Sequence, residues 1–152
     1  MVTLRAATLA DRLFFYRLHC QPAVRTVSFH PQAVSWTAHT TWYAEFVHNH
    51  DILKWTVRDG KDRVGVVWVN RLNGSAEISV TINPKRHGKG LGTKAIELAT
   101  HHAFTDWDIP ILAWIRADNE GSVRAFTKAG FLYWGSADHQ GCPASLYRYP
   151  GW

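Results

Sequence analysis

The chain has 152 residues, a formal net charge of +5 with nine histidines uncounted, 46% hydrophobic residues and two cysteines. That length suits one domain over residues 1–152 with a single core, and the distant Cys20 and Cys142 argue against a disulfide framework or a zinc site. Charged Arg5, Asp11 and Arg12 interrupt the apolar N-terminus and no apolar run reaches spanning length, so a soluble cytoplasmic protein without a membrane partner is expected.

Val2 to Ala6 reads as a first strand, and "TLADRLFFYRLHC" as a helix opened by a Thr cap. The stretch from Gln21 to Val34 holds two prolines and reads as irregular. "SWTAHTTWYAEFVHN" starts on the capping residue Ser35 and continues as a helix, with Trp36, Thr40, Tyr43 and Val47 spaced for one face. Three strands follow in "KWTVRDGKDRVGVVWVNRLNGSAEISVTINP", joined at Asp59-Gly60 and Asn73-Gly74, dipeptides that favour hairpin turns.

Then comes "NPKRHGKGLGT", a glycine-rich loop between strand and helix. Gly88, Gly90 and Gly92 let the backbone turn without a Cβ, and the first N–H groups of the next helix have no partner inside it. Free donors at the positive end of a helix dipole form an anion cradle suited to a phosphate or pyrophosphate. Beyond a helix from Thr93 to Phe104 lie the strand "ILAWIRA", the helix "NEGSVRAFTKAGF" stopped by Gly130, and a strand pair "FLYWGSAD" and "ASLYRYP". The order β-α-α-β-β-β-α-β-α-β-β implies an α/β (α+β) fold.

Two motifs in this order resemble the GNAT superfamily of acetyl-CoA-dependent N-acetyltransferases. The phosphate loop of that family, Q/R-x-x-G-x-G/A, is matched by "HGKGLG" with His87 in the Q/R position, and its N-x-x-S/A helix motif ending in G-F is matched by Asn119, Ser122, Gly130 and Phe131. The resemblance implies the GNAT fold, a mixed central sheet with helices on both faces and a V-shaped splay between two central strands. It also implies acetyl-CoA as acetyl donor and no metal. Amides from Gly88 through Lys89, Gly90, Leu91 and Gly92 to Thr93 would hold the pyrophosphate, main-chain groups near Val80 and Ile82 the pantetheine arm, and Asn119 would face the cofactor.

Transfer to an amine needs a neutral nucleophile, a polarised carbonyl and a proton for the thiolate. Glu77, on the strand before the loop, is either the base or a solvent-facing strand carboxylate; it shares a face with Ser79 and Thr81. Many family members carry a tyrosine acid in the last helix where this chain has Phe126, which leaves water, Ser122 or Tyr133 to take that part.

The segment between the first two helices resembles nucleotide-sugar N-acetyltransferases of the pseudaminic-acid pathway type, which suggests a UDP-amino-sugar acceptor held by Arg25, Phe29, His30, Trp36 and His39. "AEISVTINP" resembles the branch that acetylates N-termini of ribosomal proteins, so a peptide acceptor is the alternative, and a CoA-binding module without catalysis is another. A basic protein suits a polyamine or a cationic antibiotic poorly. Scattered basic residues argue against nucleic acid, and the histidines show no helical ligand pair, so most read as surface groups. Most of the eight tryptophans are expected in the core or on a cleft wall, and the aromatic C-terminus "YRYPGW" suits a homodimer contact, with a monomer the other possibility.

Overall fold

A computed structural model describes residues 1–150; Gly151 and Trp152, which end the suggested dimer contact, lie outside the described residues. Seven strands form one sheet in the order β1-β2-β3-β4-β5-β7-β6. They are β1 (Val2–Ala6), β2 (Ile52–Asp59), β3 (Asp62–Arg71), β4 (Ala76–Ile82), β5 (Ile111–Arg116), β6 (Leu132–His139) and β7 (Cys142–Tyr149). Neighbours run antiparallel except β4 and β5, whose parallel pairing is confined to Ala76 with Ile111 and Glu77 with Leu112. Past that point the two strands part, and the splay expected at the centre of the sheet begins.

One face of the sheet is covered by α4 (Leu91–Trp107) and α5 (Glu120–Lys128). Alternate residues of the strands point at them, so Val67, Val69, Ile78, Ile82, Ile111, Ala113 and Ile115 share a core with Ala95, Ile96, Ala99 and Phe126. The opposite face is covered by α1 (Arg12–His19) and α3 (Trp36–His48), where Phe15, Leu18, Tyr43 and Phe46 pack on Val66 of β3. Each fully buried Val or Ile contributes roughly 1.5–3 kcal/mol relative to exposure, so burial on both faces holds the helices to the sheet.

Local chemistry sets the element ends. Thr8 caps a single 3-10 turn, Leu9–Asp11, with a reciprocal box to Asp11, and α1 follows at Arg12. Ser35 caps α3 through Ala38 N, as its sequence position suggests. The buried face of α3 is His39, Tyr43 and Phe46, not the stripe through Trp36, Thr40 and Val47. Phe46 displaces Val47 because it lies three residues after Tyr43, facing α1. The segment from Gln21 to Val34, expected to be irregular, contains a short helix, α2 (Pro22–Thr26), opened by Pro22 in the first turn where its missing N–H costs nothing.

Among the described tryptophans, Trp55 and Trp107 pack against the main core and Trp42, Trp68 and Trp114 line the cleft described below. Trp36 and Trp134 are exposed. Indole therefore serves walls more than the fully buried interior, in keeping with its polar N–H.

Candidate active site

A cleft of about 940 Å³ runs through the splay and divides the sheet. Its floor is the open edge of β4. Asn83 N donates to Val64 O at 2.8 Å and Ala76 N to Pro110 O at 2.9 Å. Main-chain direction alternates along a strand, so the groups of Ile78, Val80 and Ile82 point toward β5, where pairing has already stopped. They form a strand edge with no ladder partner among the described residues, which an extended amide-bearing ligand can complete.

At the wide end of the cleft the loop carries the cradle. Gly88 and Gly90 have φ of +82° and +75°, the left-handed region in which a side chain is strained, and Gly90 is the N-cap of α4. No side chain caps this helix, and Lys94 N is the first amide bonded back within it, to Gly90 O. The N–H groups of Leu91, Gly92 and Thr93 are thus the unpartnered donors of a 17-residue helix. Gly92 is helical, and a Cβ there would meet Ile82 and Ala125 only at ordinary contact distances of 3.5 and 3.8 Å. His87 donates or accepts through Nε2 at 2.9 Å from Ile82 O; since a carbonyl only accepts, the ring donates and ties the loop to the end of β4.

Asn119 is the N-cap of α5, its Oδ1 accepting from Ser122 N at 3.2 Å, which explains the spacing of the N-x-x-S motif, and the residue lines the cleft. Phe126 lies beneath that wall, 3% exposed and edge-on to Phe131 at 5.1 Å.

On the other side the wall comes from the α1–α3 segment. Arg116 chelates Asp118 and also donates to Ser28 O at 2.9 Å, while Arg25 Nη1 donates to His30 O at 2.6 Å. These bonds hold the loop carrying Phe29 and His30 across the mouth. Phe29 meets His139 edge-on at 4.9 Å, and His139 lies flat on Trp114 at 4.4 Å. His39 reaches the cleft but is only 4% exposed and bonds Arg12 O at 3.0 Å; burial holds its imidazole below the usual pKa.

Of the residues singled out from sequence, Val80, Ile82, His87, Gly88, Gly90, Leu91, Gly92, Thr93, Asn119 and Phe126 line this cleft, as do Arg25, Phe29, His30 and His39. Four do not. Glu77 sits at the closed end of the splay, because its pairing with Leu112 keeps the sheet shut there. Ser79 is the first residue of that face to reach the cleft. Tyr133 is 57% exposed on the outer strand β6, with its hydroxyl on Ser136. Lys89 is exposed on the loop, and Trp36 is 40% exposed, edge-on to Tyr16 with the Arg12 guanidinium over its ring, outside the wall. Sequence reading missed His19, Trp68 and Trp114. His19 gave one signal: it falls four residues after Phe15, on the buried stripe of α1.

The residues present fit an acyl-CoA thioester: an unpaired strand edge for its amide-bearing arm and an uncapped helix start for its pyrophosphate. Fold and site together define an acyltransferase that works on such a donor. The chain belongs to the acetyltransferase (GNAT) domain family, whose model matches residues 1–132. It is an acetyl-CoA-dependent N-acetyltransferase of the GNAT type.

A spermidine N(1)-acetyltransferase of Escherichia coli is 24% identical over 151 residues, covering 97% of this chain and 81% of the relative. A mycothiol acetyltransferase of Corynebacterium glutamicum is 28% identical over 108 residues, 68% of this chain and 36% of the relative. Among solved structures, spermidine N-acetyltransferase from Vibrio cholerae in complex with CoA and spermine superposes with a TM-score of 0.82 at 24% identity, over 97% of this chain and 92% of the other. AAC(6')-Ib in complex with ribostamycin and coenzyme A gives 0.85 at 20% identity, over the same 97% and 92%. Among the described residues no helix is long and apolar enough to cross a membrane.

Proposed function

We propose that the enzyme acetylates a primary amine on an acceptor that is not a polycation, an amino sugar linked to a nucleotide diphosphate fitting best. One observation carries this reading. The cleft lining bears five Lys or Arg side chains, Arg25, Arg86, Arg116, Arg124 and Lys128, and no Asp or Glu. Arg86 and Arg116 are paired with Asp62 and Asp118, so Arg25, Arg124 and Lys128 are the cations without a carboxylate partner among the described residues; they would repel a polyamine and attract a diphosphate. Arg25 stands at the acceptor end with Nε buried and unpartnered among the described residues, and the Phe29 and Trp114 rings line the cleft where a base or sugar can pack.

On the donor side, bound acetyl-CoA supplies a reactive thioester. Main-chain groups of Val80 and Ile82 bond its arm, with one lone pair of Ile82 O already taken by His87, and the amides of Leu91, Gly92 and Thr93 receive the pyrophosphate. Asn119 and Phe126 wall the arm on the α5 side. Tyr133 has no part in this arrangement, and Glu77 stands two residues outside it.

A second reading, a polyamine or aminoglycoside acceptor, is favoured by the spermidine acetyltransferases that cover 97% of the chain. Thiol release from acetyl-CoA with a UDP-linked 4-amino sugar, spermidine and kanamycin in parallel separates the two. The expected result is the highest kcat/KM with the nucleotide sugar. A preference for spermidine or kanamycin overturns the proposal.

A further inference from the structure

His19 closes α1 with its two ring nitrogens in different circumstances. Nδ1 lies 2.8 Å from Phe15 O, and because a carbonyl only accepts, Nδ1 carries the proton. Nε2 has no hydrogen-bond partner among the described residues, and His19 lines the cleft. Phe15 stacks on it at 6.2 Å and Trp68 stands at 5.8 Å. Trp68 is the cross-strand partner of Ser79, between Ile78 and Val80 on the open edge. His19 therefore faces the middle of the splay, away from the phosphate cradle.

The surroundings keep this ring neutral. Burial is the largest influence, Arg25 on α2 and His39 on α3 add to it, and the Phe15 carbonyl opposes them; the net effect is a pKa down to about 4. Trp68 on β3, the remaining neighbour, carries no charge.

We infer that His19 Nε2 is the proton carrier of the acetyl transfer, a catalytic group that replaces the helix acid absent at Phe126. This rests on the N-acetyltransferase reading above. As the acceptor nitrogen bonds to the acetyl carbon, its N–H bond breaks and Nε2 takes the proton. As the C–S bond breaks and sulfur keeps the electron pair, Nε2 returns that proton to sulfur. The products are an amide, a free thiol and the imidazole as it began. An imidazolium of depressed pKa is a good acid toward a thiolate, since even a cysteine thiol ordinarily has a pKa of ~8.5. The same property makes it a weak base, so the amine must arrive already neutral and the rate should climb with the titration of the acceptor's own ammonium.

Two measurements test this. Long-range proton–nitrogen NMR of the free, labelled protein at pH 7 should show His19 as the Nδ1–H tautomer, with Nε2 bare and shifting when acetyl-CoA is added. An Nε2–H ring or an imidazolium overturns the assignment, whatever the variants do. In the thiol-release assay with whichever of the three acceptors turns over, His19→Gln should lower kcat about 100-fold or more, with CoA affinity by calorimetry within twofold. Added imidazole should return part of the rate to His19→Ala. A His19→Gln enzyme within threefold of the parent's kcat overturns the assignment. A parent that binds CoA yet turns over none of the three acceptors counts against the acceptor reading alone, and the tautomer then decides for His19.

Discussion

Acidification should destabilise this protein through His19 before its carboxylates are neutralised. The imidazole has a pKa of about 4 in the folded chain and about 6.5 when unfolded. Between those values the unfolded chain binds the proton and the native one does not, so stability falls as pH falls through that window and is level above it. Taking the two states at pH 7 and pH 5, the linkage amounts to about 2 kcal/mol, and the full window to at most about 3.4 kcal/mol. His39, also depressed by burial, adds in the same direction.

Urea denaturation at pH 7 and pH 5, followed by tryptophan fluorescence, measures the loss in the parent and in His19→Gln. The variant lacks the titrating ring but keeps His39 and every carboxylate, so its loss should be smaller by about 2 kcal/mol. Equal losses in parent and variant would refute the neutral, walled-in imidazole on which the proton-carrier role depends.

Gly90→Val forces a branched side chain into φ +75°, at roughly 1–2 kcal/mol, and should weaken CoA binding at least tenfold by calorimetry. Gly92→Ala, with only ordinary contacts waiting, should keep the parent's melting temperature within about 2 °C, a shift smaller than ~1 kcal/mol would give. Gly65→Ala, on β3 opposite Ile82, places a Cβ against Thr81 O and 2.7 Å from Ile82 Cδ1; a destabilisation of about 1–3 kcal/mol in urea is expected. Glu77→Gln should leave kcat within about threefold, because Glu77 lies outside the cleft; a loss of about 100-fold would return the base role to it.

The fold was legible because its signals are local. Hairpin dipeptides at Asp59-Gly60 and Asn73-Gly74 fall between the strands that the structure pairs, and Ser35, Asn119 and Gly130 cap or stop the helices they flank. The phosphate cradle was legible for the same reason, since a left-handed Gly90 and an uncapped helix start are written in consecutive residues. The reacting end was not. Whether Glu77 opens into the cleft depends on where β4 stops pairing with β5, a contact between residues 34 positions or more apart that no local pattern encodes. His19 was passed over because its importance comes from Trp68 and Arg25, brought to it by the sheet and by α2.

The narrow seam between β4 and β5 has a thermodynamic consequence. Two residue pairs join the strands from β1 to β4 to those from β5 to β7, and the edge left open beyond them is the place for the donor's amide-bearing arm. A ligand lying there supplies ladder bonds that the polypeptide does not make with itself, so the occupied protein is the more completely folded one. Its melting point should therefore track the free concentration of CoA, gaining about 2.7 kcal/mol at a hundredfold excess over the dissociation constant. In a cell, the size of the coenzyme pool then sets how durable this enzyme is as well as how fast it works.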